Sequence, residues 1–235
     1  MTEVPYTGPM SARRRTKRPE PRIFLLSPAT CSGLRANVLT STRAMFPLAA
    51  QMRSPGGAPI GEVFSFLSGL YFRGKLTYAR TFARPPDARC KITGGGVFVI
   101  TPDAGLRPPE ALLTVAALQA AARVDINAAN RRYRAPLEAS SRIVAERIGA
   151  DCEVVLLGSI ASPKYVDVLG GIFGDRLLFP IDFVGRGDMS RGGLLLRAAR
   201  AQQELPYVPV KGAVRHGARP PKLVPLPSRS FPVPR

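Results

Sequence analysis

The run Gly185-Arg186-Gly187-Asp188-Met189-Ser190-Arg191-Gly192-Gly193 sets one carboxylate between two arginines and among four glycines. Asp188 there can accept from a sugar hydroxyl or act as a general base, and Arg186 and Arg191 can clamp a phosphate. A plainer reading competes with this one, in which Asp188 caps the next helix and both arginines are solvated. Asp103, just beyond a short apolar run, is a second carboxylate. Two carboxylates flanking a glycosidic bond are the usual requirement for breaking it, so Asp103 and Asp188 are the expected catalytic pair. Ser32-Gly33 with Arg35 offers small residues, free backbone N–H groups and a cation, which suits an anion as well as an ordinary turn. Ser27, Ser159 and Tyr165 stand at the ends of other apolar runs as hydroxyl donors, with capping as the alternative. The expected nucleotide- or phosphate-binding set is therefore Ser27, Ser32, Gly33, Arg35, Ser159, Tyr165, Gly185, Arg186, Gly187 and Arg191.

Other chemistries are excluded by what the chain lacks. The GxxxxGK[ST] phosphate loop is absent, and Cys31 to Arg35 is too short for a Cys-x5-Arg loop. Cys31, Cys90 and Cys152 are far apart and His216 is the only histidine, so neither a metal site nor a cofactor is expected. Cys31 has no histidine nearby to activate it. His216, in Arg215-His216-Gly217, can act as an acid or base but stands beside a proline-rich tail.

The elements that must hold these residues can be read from four short apolar runs, Ile23–Leu26, Val97–Ile100, Val154–Leu157 and Leu177–Phe179. Each stops at a small or turn-forming residue, and helical patterns fill the gaps. Continuous apolar strands separated by helices imply a mainly parallel sheet of at least four strands in a three-layer α/β fold. Ligands in such folds bind outside the carboxyl ends of the strands, which makes the four run ends the rim of a site. Helices are expected at about 41–53, 61–84, 110–122, 134–149, 163–172 and 189–203, with Asp188 as the cap of the last. Residues 22–216 form one domain. Residues 1–21 read as a disordered basic arm and 217–235 as an extended proline-rich basic tail.

The formal net charge is +18. Residues 1–22 carry six Lys/Arg against two acids and 201–235 carry six against one, whereas 151–200 balances six against six. A basic field of this size attracts polyanions, and nucleic acid is the abundant one. Arg13, Arg14, Arg15, Lys17, Arg18, Arg215, Arg219 and Lys222 are the expected contacts to it. No apolar stretch approaches the roughly 18 residues needed to span a membrane, and Ser27-Pro28 breaks the first run too early for a secretory signal. A cytoplasmic protein with free thiols is the expectation.

In order along the chain, Ile23–Thr30 (IFLLSPAT), Leu70-Tyr71-Phe72-Arg73-Gly74-Lys75 before Tyr78-Ala79, Ile100–Leu106, and Leu156-Leu157-Gly158-Ser159 with Tyr165 lead to the glycine-containing turn at 185–194. This succession over about 23–196 resembles the YaaA family of bacterial peroxide-stress proteins and their relatives. The lysine of that family's opening motif is replaced by Thr30-Cys31. The resemblance implies an α/β fold and association with DNA, and it supplies no catalytic residues. Two functions are thus expected: a DNA- or nucleic-acid-binding protein, or an enzyme of glycosidase or transferase type acting on a nucleobase or nucleoside.

Overall fold

A computed structural model describes residues 20–223. The first half runs β1 (Arg22–Leu26), α1 (Leu34–Thr40), α2 (Pro47–Arg53), β2 (Ala58–Pro59), α3 (Ile60–Ser68), α4 (Leu70–Phe82), β3 (Val97–Thr101) and β4 (Gly105–Arg107). The second half runs β5 (Leu112–Leu113), α5 (Val115–Ala121), α6 (Arg131–Ile148), β6 (Glu153–Leu157), α7 (Pro163–Phe173), β7 (Leu177–Pro180), α8 (Asp188–Ala201) and β8 (Tyr207–Pro209).

The protein is α/β with a mixed, mostly parallel sheet of order β4-β3-β1-β6-β7-β8. The four apolar runs are its four mutually parallel strands, and β1 lies at the centre, with Leu26 opposite both Val99 and Leu157. Because side chains alternate across a strand, β1 feeds two cores. Phe24 and Leu26 pack with α1–α4 and α8, whereas Ile23 and Leu25 pack with α6 and α7. Both faces being covered explains why these strands read as unbroken apolar runs. Burying a side chain such as Phe24, fully inaccessible here, stabilises the fold by about 1.5–3 kcal/mol.

Several expectations change at the edges. Asp103, just beyond β3, is in the tight turn between β3 and antiparallel β4, where Thr101 Oγ1 donates to Gly105 O at 2.8 Å. β8 closes the opposite edge antiparallel to β7, and β2 pairs with β5 in a separate two-stranded sheet. The helix expected over 61–84 is two helices, because Gly69 at φ 61° turns the chain between α3 and α4. Residues 41–46 form turns, and the helix expected at 110–122 begins only at Val115, after β5. Residues 1–19, with Arg13, Arg14, Arg15, Lys17 and Arg18, lie outside the described residues. Residues 217–223 have no regular structure and lie against the body: a Cβ on Gly185 would sit 2.1 Å from Ala218 O. Among the described residues no helix is long and apolar enough to cross a membrane.

Candidate functional site

At the carboxyl ends of β1 and β6 a cavity of about 210 Å³ is lined by Ser27, Pro28, Ala29, Thr30, Ser68, Tyr71, Ile126, Ser159, Lys164, Tyr165 and Asp188. Ser27 continues the parallel ladder, its N–H donating to Leu157 O at 3.2 Å. A Cβ on Gly158 would meet Ser27 Cβ at 2.9 Å, so a glycine there lets the ends of the two strands close up. The Gly69 turn places Ser68 and Tyr71 on the opposite wall. The start of α7 contributes Lys164 and Tyr165, and the start of α8 contributes Asp188.

Behind Ser27 stands Lys75, whose side chain is wholly buried in α4. Its ammonium donates to Ser27 O at 2.6 Å and to Ser27 Oγ at 2.9 Å. It also lies 4.5 Å and 4.8 Å from the ring centres of Tyr71 and Phe72. Among the described residues it forms no ion pair. Burial disfavours its charge and brings its pKa down to about 7, although Asp188 opposes the shift and Arg191 adds to it. A lysine brought near neutrality by burial that bonds a cavity-lining serine is a candidate functional residue that sequence reasoning missed. Its signal was present: Tyr71, Phe72, Tyr78 and Ala79 stand three and four positions either side, so Lys75 occupies the apolar face of its helix.

Both tyrosines of the cavity are buried. The Tyr71 hydroxyl makes no hydrogen bond of acceptable geometry, and burial pushes its pKa up to about 12, with Arg191 close enough to moderate the shift. Burial likewise raises Tyr165, so both are neutral hydroxyls at neutral pH. Tyr133 fixes this wall from behind by donating to Lys164 O at 3.0 Å.

Of the expected site residues, Ser27, Ser159, Tyr165 and Asp188 come together here and the others do not. Asp188 is the first residue of α8 and not its cap, which is Gly187. Its carboxylate, 71 % exposed, lies 3.8 Å from Arg191 at the mouth of the cavity. Asp103 lines a different cavity of about 180 Å³ with Thr101, Arg107 and Phe64, so the two carboxylates do not flank one bond. Asp103 instead reinforces burial in pushing the Cys31 thiol up to about 12, which leaves that cysteine unreactive.

The arginine clamp is committed to the fold. Arg191 donates twice to Phe183 O, at 3.2 and 3.0 Å. Arg186 donates to Asp182 O, Ser190 Oγ and Pro221 O, and neither Gly185 nor Gly187 lines the cavity. Ser32, Gly33 and Arg35 are exposed and also lie outside the cavity; Arg35 donates to Phe66 O at 3.1 Å and braces the Gly69 turn. Arg215, Arg219 and Lys222 are exposed, with Arg215 beside Ser159 and Arg191 in a narrow crevice.

A larger concavity lies elsewhere. An open groove of about 640 Å³ runs along α4 past Arg73 and Arg80, and a second of about 500 Å³ continues over α8 past Arg197 and Arg200. It has broad walls and no buried polar group, so the smaller cavity is the better candidate for chemistry. Among the described residues no group of three or more His, Cys, Asp or Glu could hold a metal ion. Comparison of the chain with protein-family models, with curated proteins and with solved structures finds no match.

Proposed function

We propose that the cavity at the ends of β1 and β6 is an active site for a nucleobase or nucleoside. The supporting observation is the convergence there of Ser27, Ser159, Tyr165 and Asp188 with the buried ring of Tyr71. Sites for drug-sized ligands span about 300–1,000 Å³, so a cavity of 210 Å³ suits a single ring system with its sugar at the mouth. The neutral hydroxyls match the mixed donors and acceptors of a base edge, and Asp188 stands where a ribose would emerge. In a glycosidase or transferase reaction Asp188 orients the sugar or activates the attacking group.

Calorimetric titration with nucleobases, nucleosides and nucleotides, with chromatography for released base, tests this. Tyr165→Phe should weaken binding about tenfold, the worth of one hydrogen bond between its hydroxyl and the ligand. No binding by any of these ligands at millimolar concentration would remove the reading.

A second reading, nucleic-acid engagement, is favoured by the net charge of +18 and by the open groove with its four arginines. Arg73, Arg197 and Arg200 form no ion pair among the described residues. If all three meet phosphates, their joint change to Gln should reduce the slope of log K against log salt by about 3. An unchanged slope would place the contacts off the groove. The resemblance to the YaaA family, carried by the motifs quoted above, supports this second reading.

A further inference from the structure

We propose that Ser27 and Lys75 form a nucleophile–base pair that catalyses acyl transfer from a small ester bound in the cavity. The proposal rests on the cavity being a ligand site and not on the ligand being a nucleobase. Three geometric features carry it. Ser27 lines the cavity, so its hydroxyl can reach a bound carbonyl carbon. Lys75 Nζ stands 2.9 Å from Ser27 Oγ, within the range required between a nucleophile and its base. A third group orients the base: Lys75 donates to Ser27 O at 2.6 Å while the rings of Tyr71 and Phe72 fix the ammonium between them.

The step balances without any group beyond water. Neutral Lys75 keeps one N–H on Ser27 O and turns its lone pair to Ser27 Oγ, reversing the second hydrogen bond. As Oγ attacks the carbonyl carbon, its proton passes to Nζ and the C–Oγ bond forms. The bond to the leaving alcohol oxygen then breaks, and that oxygen takes the proton from Nζ. Water attacks the acyl-serine with its proton going to Nζ, the C–Oγ bond breaks, and Oγ recovers the proton as the acid departs. Burial, which brings Lys75 to about pH 7, supplies the neutral base at physiological pH. The groups facing Lys75 are Ser27 after β1, Tyr71 and Phe72 on its own helix, and Asp188 and Arg191 on α8. None of them is a carboxylate in hydrogen-bond contact that would hold the ammonium charged.

The test is labelling of the full-length protein with a fluorophosphonate, whose phosphorus mimics the acyl carbon and loses fluoride, read by intact mass and peptide mapping. One adduct on Ser27 is expected, forming about tenfold faster at pH 8 than at pH 6 as Lys75 loses its proton. Ser27→Ala should take no label, and Lys75→Met should slow labelling at least ~100-fold. Should Lys75→Met not fold, the pH profile of the unaltered protein decides alone. An adduct on another serine, no adduct between pH 6 and 9, a rate flat across that range, or a folded Lys75→Met protein that labels normally would overturn the pair. Ser27 labelling without nucleoside binding would fail the nucleobase reading and keep the pair. Nucleoside binding without labelling would do the reverse.

Discussion

Gly192→Ala should destabilise the protein by about 3 kcal/mol, the upper end for overpacking, and should abolish ligand binding in the cavity. The usual effect of this change in a helix is the opposite, because alanine is favoured over glycine by roughly 1 kcal/mol. At Gly192 the backbones of α4 and α8 touch. A Cβ there would lie 2.8 Å from both Leu70 O and Tyr71 Cα, and one on Gly74 would lie 2.7 Å from Gly192 O. These obstacles are main-chain atoms, which cannot swing aside, so the helices must separate. Tyr71 and Lys75 ride on one of them and Asp188 and Arg191 on the other, and widening the crossing therefore pulls the cavity walls apart. Gly171→Ala is the control. It too lies within a helix, α7, but a Cβ there meets nothing within 4 Å, so it should stabilise by about 0.5–1 kcal/mol. Urea denaturation of the two variants beside the unaltered protein measures both signs. Equal and favourable shifts would show that α4 and α8 do not cross as closely as described.

What the sequence disclosed follows from how locally each feature is determined. The four parallel strands were legible because burial on both faces demands apolar side chains at every position, which is visible in a run of four or five. β4 and β8 are three residues each, and β2 and β5 two each; their conformation comes from the partner strand, not from their own pattern. The α3–α4 pair read as one helix because the apolar period continues through Gly69, and only its positive φ reveals the turn. Ser27 and Ser159 were found at the rim because strand ends locate it. Asp103 failed as a partner for Asp188 because lateral position depends on strand order: β3, which it follows, lies on the far side of β1 from β6 and β7. Lys75 went unassigned because a lysine in a helix normally belongs to a solvated face, and only tertiary packing shows where its ammonium ends.

That burial gives Lys75 a signature in stability as well as in chemistry. With a pKa of about 7 when folded and an ordinary value of 10.5 when unfolded, Lys75 has lost its proton in the native protein while the unfolded chain still holds it. Between these two values the unfolded state binds more protons, so this residue makes stability rise with pH. Below about pH 7 both states are charged and the burial penalty is present in full. From pH 7 to 9 the residue should add about 2 kcal/mol, since one pKa unit corresponds to about 1.4 kcal/mol. Lys75→Met keeps the bulk, removes the titration and leaves Ser27 O and Oγ without their donor. Its denaturation free energy should therefore lack that rise, and the difference between the two proteins should grow by about 2 kcal/mol in favour of lysine between pH 7 and 9. Taking the difference matters. Tyr71, Tyr78 and Tyr207 are all raised by burial and work in the other direction as pH approaches 10, but they are common to both chains. Two curves that run parallel from pH 6 to 9 would mean that Lys75 stays charged throughout. The ammonium would then be a fixed donor to Ser27, with no lone pair to take its proton.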